Sequence, residues 1–214
     1  PGTVARLGGA HRNDATTRPT APYAQGRGLG GSSAINGLGA NRGAPEDYDA
    51  WGRLGAEGWS WESVLPYFRK LERDLDRTGP LHGAGGPIPV RRPDPADASG
   101  FVRGVAAAAV EAGVPWRADQ NGPWQDGLFP IALNLDEDWQ RVSAAQGYLT
   151  ASVRARPNLS ILSQTEVTRI LFDRSRAVAV MARGPGGVVR IDADEVILAA
   201  GALRSPALLQ RSGV

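Results

Sequence analysis

The chain has 214 residues, of which 42% are hydrophobic and 21% are charged. Its 24 basic and 22 acidic residues give a formal net charge of +2. The basic residues are spread along the sequence, which argues against a nucleic-acid-binding protein. The chain has no cysteine, which excludes disulfides, thiol catalysis and thiolate metal sites, and we predict no metal centre. No apolar run approaches the roughly 20 residues of a membrane-spanning helix, so no transmembrane segment is predicted.

The first 154 residues predict loops that alternate with short helices. Residues 1–25 are polar and interrupted by proline, which is typical of a loop, and residues 26–40 are rich in Gly and Ser and lead into a short helix. Ser60 is a favourable N-cap for a helix that begins at Trp61. The predicted helices cover residues 46–54, 61–73, 96–112 and 143–154, and a weak strand is predicted at 129–135.

The last third of the chain changes to the residue pattern of β-strands. Four short apolar or alternating runs, separated by turn residues, predict an antiparallel meander over residues 159–163, 166–173, 177–183 and 188–192. The run 195–200 (EVILAA) is almost entirely apolar, as expected of a strand buried on both faces in a mostly parallel sheet. Gly201 and the pair Ser205-Pro206 then predict a tight turn followed by a helix.

Residues 26–31 (GRGLGG) have the spelling of a dinucleotide-binding fingerprint. That fingerprint follows a buried strand, whereas residues 19–25 are polar and contain Pro22, so we do not interpret the motif in this way. The glycines nevertheless allow a ligand to approach the backbone closely. Ser32 and Ser33 are candidates to cap the helix that follows. A turn that merely caps an ordinary helix is the alternative, and the residues alone do not separate the two.

Four long blocks occur along the chain: GRGLGGSSAINGLGANRGAPEDYDAWG (26–52), GAEGWSWESVLPYFRKLE (55–72), QRVSAAQGYL…RPNLSILSQTEVTRILFD (140–173) and GALRSPALLQRSGV (201–214). Together they resemble the glucose–methanol–choline (GMC) flavoprotein oxidoreductases, and the first and last resemble the two signatures of that family. The resemblance implies FAD as the cofactor and a small-molecule alcohol as the substrate, oxidised by hydride transfer to the flavin.

The resemblance also implies the fold class, which is α/β plus α+β. The chain would hold part of a Rossmann-like FAD-binding domain with an antiparallel β-meander, and part of a substrate domain. Residues 1–75 and 141–214 are assigned to the FAD-binding domain, and residues 76–140 to the substrate domain.

Six residues are implied to contact FAD. Gly28 matches a position where the backbone lies against the cofactor, and Asn36, Gly37, Leu38 and Gly39 match the segment that lies along the flavin. An asparagine can donate to and accept from the polar edge of the flavin ring, although an asparagine that bonds its own backbone is the alternative.

Val167 matches a strand position whose backbone pairs with the adenine of FAD. Its side chain alone would suggest an ordinary core residue of a strand.

The way in which FAD is held follows from one position. Some family members attach FAD covalently through a histidine immediately before the signature asparagine, and this position is Ile35 here. Because isoleucine has no nucleophilic atom, we predict non-covalent FAD. His11 and His82 match no flavin-linking position, and each is expected to be structural or solvent-facing rather than catalytic.

The sequence departs from the family pattern at both ends. Nothing matches the opening strand–turn–helix with its dinucleotide fingerprint, and the catalytic histidine of the family lies beyond the second signature. We therefore expect an internal piece of a longer enzyme that is inactive alone, and we predict no catalytic residue within it. The alternatives are a hydroxynitrile-lyase-like member of the same fold and a truncated product that binds nothing. The electron acceptor stays open, and the arginine-rich, cysteine-free composition suits a cytoplasmic protein.

Overall fold

The computed structural model describes residues 3–11 and 22–214. The chain divides into two units, residues 1–156 and residues 157–214. The predicted division into segments of a FAD-binding domain and a substrate domain stays a prediction. None of the helices in the described residues is both long and apolar enough to cross a membrane.

The first unit opens with an antiparallel pair of strands, β1 (Thr3–His11) and β2 (Pro22–Arg27). Thr3 lies opposite Arg27, and His11 lies opposite Pro22. The prediction of a loop over residues 1–25 is therefore wrong for the residues in these strands, while residues 12–21 lie outside the described residues. Backbone pairing between two segments needs no alternation of apolar side chains, and Pro22 occupies the first position of its strand, where proline is tolerated.

Five helices follow in the first unit: α1 (Pro45–Arg53), α2 (Trp61–Leu71), α3 (Gly100–Glu111), α4 (Ala144–Tyr148) and α5 (Ala151–Arg154). The Ser60 Oγ accepts a hydrogen bond from Ser63 N, so the predicted N-cap of α2 is confirmed. The single helix predicted over 143–154 is two helices. Ser143 and Thr150 each cap a helix of their own, and the second cap interrupts the first helix.

A short parallel pair of strands forms the core of the first unit. The strands are β3 (Glu72–Asp74) and β4 (Ile88–Val90), and Glu72 lies opposite Ile88. The strand predicted at 129–135 is wrong, because this segment makes only isolated bridges. Leu133 bridges Gly39 on one side and Arg91 on the other, so the segment joins two parts of the unit without a continuous ladder.

The second unit is a three-stranded antiparallel meander with one helix. Its elements are β5 (Glu166–Asp173), β6 (Arg176–Gly184), β7 (Gly187–Asp192) and α6 (Arg204–Ser212), and the strand order is β5-β6-β7. The meander is confirmed, except that residues 159–163 are not a strand. The buried residues Ile170, Ala179, Ala182 and Leu208 form its small core.

The apolar run 195–200 is neither strand nor helix, so the prediction that it joins a parallel sheet is wrong for the described chain. Ile197 is 83% exposed. A strand exists only through hydrogen bonds to a neighbour, and no strand of the described residues pairs with this run. The turn and helix predicted after it are confirmed, since Gly201 has a φ of 87° and α6 begins three residues later. Ser205 does not cap this helix, whose N-cap is Leu203; the Ser205 Oγ accepts from Ala200 N instead.

Candidate cofactor-binding site

An exposed strip of backbone lies in the first unit, formed by Gly28 and residues 36–39. Gly28, Asn36, Gly37 and Gly39 are exposed, and Leu38 is half-buried. Among residues 3–11 and 22–214, no atom would lie within 4 Å of a Cβ placed on Gly28 or Gly37, so these residues leave open space in front of both. Five of the six residues predicted to contact FAD therefore belong to this exposed strip, on either side of the 3-10 turn Gly31–Ala34.

The turn between Gly26 and Ala34 places Gly28 in the exposed strip. Residues Gly31–Ala34 form one turn of 3-10 helix, and a Cβ on Gly26 would lie only 2.3 Å from the Gly31 oxygen. The sequence predicted that Ser32 or Ser33 caps this turn. That prediction is wrong, because the N-cap is Gly30. Ser32 Oγ instead accepts from Gly26 N at 3.1 Å. The serines thus hold the turn together.

The rejection of the dinucleotide fingerprint agrees with the structure around the same turn. The strand β2 precedes the glycines, but it belongs to a two-stranded antiparallel pair, and none of its residues 23–27 is buried. A 3-10 turn follows in place of the α-helix that binds pyrophosphate. The glycines allow an exposed backbone here without forming that motif.

Asn36 begins a tight turn that leads to a strained residue. Asn36 Oδ1 accepts from Leu38 N at 3.1 Å, which is the hydrogen bond of an Asx turn. Leu38 has a φ of 68°, in the left-handed region that bulky residues rarely adopt. Such strain costs about 1–3 kcal/mol and clusters at functional sites. The side-chain oxygen of Asn36 thus bonds the local backbone, as the alternative interpretation of this residue predicted.

The exposed strip is backed by the segment 132–134. Leu38 O accepts from Asn134 N at 2.9 Å, and Ala40 N donates to Ala132 O at 2.8 Å. Within the described residues, the N–H groups of Gly37 and Gly39 have no hydrogen-bond partner. The exposed strip therefore offers two free backbone donors on a segment whose other side is fixed.

A buried group of charged side chains lies at the end of the same segment. We call it the ionic cluster, and its members are Arg42, Glu72, Asp74, His82, Arg92 and Asp119. Arg42 Nη2 lies 2.6 Å from Glu72 Oε2. Arg92 donates two hydrogen bonds of 2.9 Å to Asp74, in the paired geometry that arginine favours. All members except Asp119 are buried.

His82 contacts carboxylates through both ring nitrogens. Nδ1 lies 3.2 Å from Glu72 Oε1 and 3.1 Å from Asp74 Oδ2, and Nε2 lies 2.8 Å from Asp119 Oδ2. Both ring nitrogens thus face carboxylates within the ionic cluster. His82 is therefore a buried structural residue, as one predicted alternative had it, and is not solvent-facing. The other histidine, His11, lies in β1.

Glu72, Asp74 and His82 also have the spacing of metal ligands, with their ligand atoms within 4.8 Å of one another. However, Arg42 already bonds the carboxylate of Glu72, and Arg92 bonds both oxygens of Asp74. The cluster is satisfied by protein cations, so we assign no metal ion to it.

The protonation of Asp74 reflects the arginine beside it. Burial alone would raise the pKa of Asp74, but hydrogen bonds from Arg92 and from the backbone of Asp76 and Arg77 outweigh burial and lower that pKa below its ordinary value of 3.8. Burial would likewise lower the pKa of Arg92, but its bonds to Asp74 and Asp119 raise it. The pair therefore stays ionised at neutral pH.

Asn121 connects the ionic cluster to the exposed strip. Its Nδ2 donates to Ala40 O at 2.9 Å, and its Oδ1 accepts from Arg42 N at 3.0 Å. Its backbone N–H donates to Asp119 Oδ1 at 3.0 Å. One buried asparagine thus joins the cluster to the backbone immediately after Gly39.

The sequence reasoning missed the ionic cluster and Asn121. The one local signal was the pair Glu72 and Asp74, whose side chains lie on one face of a strand because they are two residues apart. Both are buried in β3, whereas Arg73 between them is only half-buried.

Comparison with known proteins gives the lineage of the chain. The family model described as GMC oxidoreductase matches residues 7–214. The chain belongs to the GMC oxidoreductase family. The predicted resemblance is thus confirmed, together with the mixed α/β and α+β fold class that it implied.

The GMC relatives in sequence are oxidases and dehydrogenases by name. The chain is 47% identical to 5-(hydroxymethyl)furfural oxidase of Methylovorus sp. (strain MP688), over 92% of this chain and 37% of that protein. It is 40% identical to pyridoxine 4-oxidase of Microbacterium luteolum, over 90% of this chain and 38% of that protein. It is 42% identical to oxygen-dependent choline dehydrogenase of Paraburkholderia xenovorans (strain LB400), over 89% and 34%. The chain therefore spans little more than a third of these GMC proteins.

Solved GMC structures agree with this relationship. Pyridoxine 4-oxidase from Mesorbium loti matches with a TM-score of 0.88 and 33% identity, over 100% of this chain and 41% of that one. A FAD-dependent oxidoreductase from Chaetomium thermophilum matches with a TM-score of 0.81 and 31% identity, over 100% of this chain and 38% of that one.

The sixth residue that the GMC resemblance marks, Val167, lies in the second unit. It is 38% exposed and sits on β5, opposite Ala182 of β6. In the order β5-β6-β7, β5 is an edge strand, and one row of its backbone groups faces away from the sheet. Ser212 Oγ of α6 accepts from Ile170 N at 2.8 Å, which satisfies one of these groups three residues further on.

Proposed function

We propose that the protein carrying this chain is a FAD-dependent oxidoreductase that oxidises an alcohol group, and that this chain supplies part of its FAD site. The single observation that supports this most is the exposed strip. Judged on the described residues, it has open space at Gly28 and Gly37, and strain at Leu38 beside two backbone N–H groups without partners. Membership of the GMC family and the alcohol-oxidising names of its relatives support the same assignment.

The residues of the exposed strip fit the edge of a flavin ring. The ring edge carries nitrogen and oxygen acceptors, and the free N–H groups of Gly37 and Gly39 are the matching donors. Glycine at these positions lets the cofactor approach the backbone without a Cβ in between. When bound, FAD supplies the redox chemistry by accepting a hydride from the alcohol carbon. We assign no proton-accepting residue to this chain.

The adenine end of FAD is proposed for the second unit. Val167 lies on the edge strand β5, and an edge strand presents unpaired backbone donors and acceptors. Such groups can pair with the polar edge of a purine. Because this role needs the backbone alone, replacement of Val167 by Ile should leave FAD affinity unchanged.

The activity is tested on the full-length product of the gene that encodes this chain. The purified protein is mixed without oxygen with an excess of hydroxymethylfurfural, pyridoxine or choline, and the flavin absorbance is followed. We expect at least one alcohol to bleach the oxidised flavin. A protein that binds FAD but is bleached by no alcohol would favour the lyase alternative, and a protein that binds no FAD would contradict the proposal.

A substitution at Gly37 tests the part played by the exposed strip. Gly37→Val adds a side chain where nothing lies within 4 Å and where φ is not positive, so it disturbs no contact within the chain. We expect thermal unfolding of the apoprotein to be unchanged while the FAD dissociation constant rises at least tenfold. Gly104→Val is the matched control, because Gly104 is also exposed with no atom near its Cβ, but it lies in α3. Equal FAD affinity in the two variants would contradict the proposed contact.

FAD is proposed to be bound without a covalent link. The position before Asn36 is Ile35, and both ring nitrogens of His82 are occupied by carboxylates of the ionic cluster. Acid precipitation of the full-length protein should therefore leave the yellow colour in the supernatant. A flavin-bearing peptide found in the pellet by mass spectrometry would contradict this.

The 214-residue chain on its own is proposed to be inactive. The proposal names no catalytic residue within it, and FAD contacts are assigned here only to the exposed strip and Val167. Expressed alone, the chain should oxidise none of the three alcohols, whereas the full-length product should oxidise at least one. Turnover by the isolated chain would overturn this.

A further inference from the structure

The side chain of Asn36 is held in one orientation by two hydrogen bonds to its oxygen. Oδ1 accepts from Leu38 N at 3.1 Å and from Arg141 Nη1 at 2.8 Å. An amide oxygen has two lone pairs, so both are used. If the amide turned over, its NH2 group would face two donors. The nitrogen therefore points away from both donors.

Arg141 donates three hydrogen bonds to this turn in total, and the bond to Asn36 Oδ1 is one of them. Nη1 also donates to Ser33 O at 3.1 Å, and Nη2 donates to Asn36 O at 2.6 Å. Nearby, Ser33 Oγ accepts from Ala144 N at 2.9 Å. A planar guanidinium can serve several acceptors at once, which an ammonium group cannot do in the same geometry. Arg141 is thus the main side chain that fixes Asn36.

The nitrogen of Asn36 is left available on the exposed strip. Within residues 3–11 and 22–214, Nδ2 has no hydrogen-bond partner, and Asn36 is exposed beside the free N–H groups of Gly37 and Gly39. We propose that Arg141 is a positioning residue that turns the Asn36 amide so that only its NH2 group faces the cofactor, where it donates to an acceptor on the flavin ring. This rests on the proposed function, because it requires that FAD lie along the exposed strip.

Asn36→Asp separates this role from a purely structural one. Aspartate keeps an oxygen for Leu38 N and for Arg141, so the turn is retained, but it lacks the NH2 donor. We expect the apoprotein of this variant to unfold at the same temperature as the wild type or higher. Its FAD dissociation constant should rise about tenfold, the effect of losing one hydrogen bond. The flavin reduction potential should become more negative, because a carboxylate disfavours added electrons nearby.

Arg141 is tested through Asn36 with a double-mutant cycle in the full-length protein. Arg141→Gln should weaken FAD binding in the wild-type background and have a smaller further effect in the Asn36→Ala background, where the bond to the side-chain amide is already lost and only the bonds to Ser33 O and Asn36 O remain. Arg141→Lys should restore only part of the affinity. Arg103→Gln is the matched control, since Arg103 also donates to two backbone oxygens, those of Ala96 and Ala98, but lies in α3.

The outcomes distinguish this inference from the proposed function. If the wild type binds no FAD, the proposed function fails and this inference fails with it. If the wild type binds FAD and Asn36→Asp binds it equally well at an unchanged potential, only the inference is overturned. An equal loss of affinity from Arg141→Gln in both backgrounds would also overturn it, because Arg141 would then act by another route.

Discussion

Two ends of one short segment have opposite environments. At residues 36–39 the chain is exposed except at the half-buried and strained Leu38, and the N–H groups of Gly37 and Gly39 have no partner in the part of the chain that the structure describes. At Arg42, three residues further on, the side chain is buried and bonded to Glu72 and to Leu81 O. The difference shows how a backbone surface can be kept exposed on a folded protein. A rigid neighbour fixes its position, so the exposed part needs no packing of its own.

The ionic cluster should be the more costly end to disturb. Asp74→Asn removes a buried charge and leaves Arg92 with Asp119 as its one remaining carboxylate. Breaking a buried pair in this way costs about 3–5 kcal/mol of unfolding free energy. Denaturant unfolding measures the loss. The control is Glu137→Gln, which breaks the exposed pair with Arg73 and should cost far less, because solvent screens an exposed ion pair. Equal effects would show that the cluster does not stabilise the first unit.

Acid should also lower the stability that the ionic cluster gives to the fold, but by less than the Asp74→Asn substitution does. Because the folded pKa of Asp74 lies below its ordinary value of 3.8, its ionisation stabilises the fold above that pH. This contribution falls away as the pH drops from 3.8 towards the folded pKa. Unfolding measured from pH 6 downwards should therefore show a steeper loss of stability in the wild type than in Asp74→Asn. Parallel curves would mean that Asp74 is not held ionised by Arg92.

Replacing Asn121, which links the exposed strip to the ionic cluster, should cause the smallest loss of stability. Asn121→Ala leaves Ala40 O and Arg42 N without their side-chain partner, which costs about 2 kcal/mol. It should also weaken FAD binding, because the backbone after Gly39 is released. The neighbouring Gln120 gives the control, since its buried Oε1 has no partner in the described residues and Gln120→Ala removes no hydrogen bond from that oxygen. If Asn121→Ala lowered stability and left FAD binding intact, the exposed strip would not depend on the ionic cluster.

Signals carried by neighbouring residues were sufficient to predict several elements. The N-cap at Ser60, the helix predicted at 46–54 and the turn between the predicted strands 166–173 and 177–183 each depend on a few adjacent residues. The exposed strip was found from the family signature, which supplied residue roles that spacing alone left undecided. Its openness is now visible at Gly28 and Gly37.

The features that the sequence did not predict depend on residues far apart in the chain. β1 pairs with β2 across residues that give no local strand signal, and the apolar run 195–200 needs neighbouring strands to become one. The ionic cluster joins Arg42 to Asp119 through three intervening segments, and no short motif contains such a set. The bonds from Arg141 to Asn36 cross 105 residues in the same way.

Hydrogen exchange of the backbone amides, with and without FAD, tests the central claim most directly. In the full-length protein, the amides of Gly37 and Gly39 should exchange fast without FAD, because they have no partner in the described residues, and slowly when FAD is bound. The amide of Gly83, which already donates to Glu72 Oε1 in the ionic cluster, should exchange slowly in both states. If FAD binds and the exchange of Gly37 and Gly39 does not change, the exposed strip is not the cofactor contact and the account is wrong.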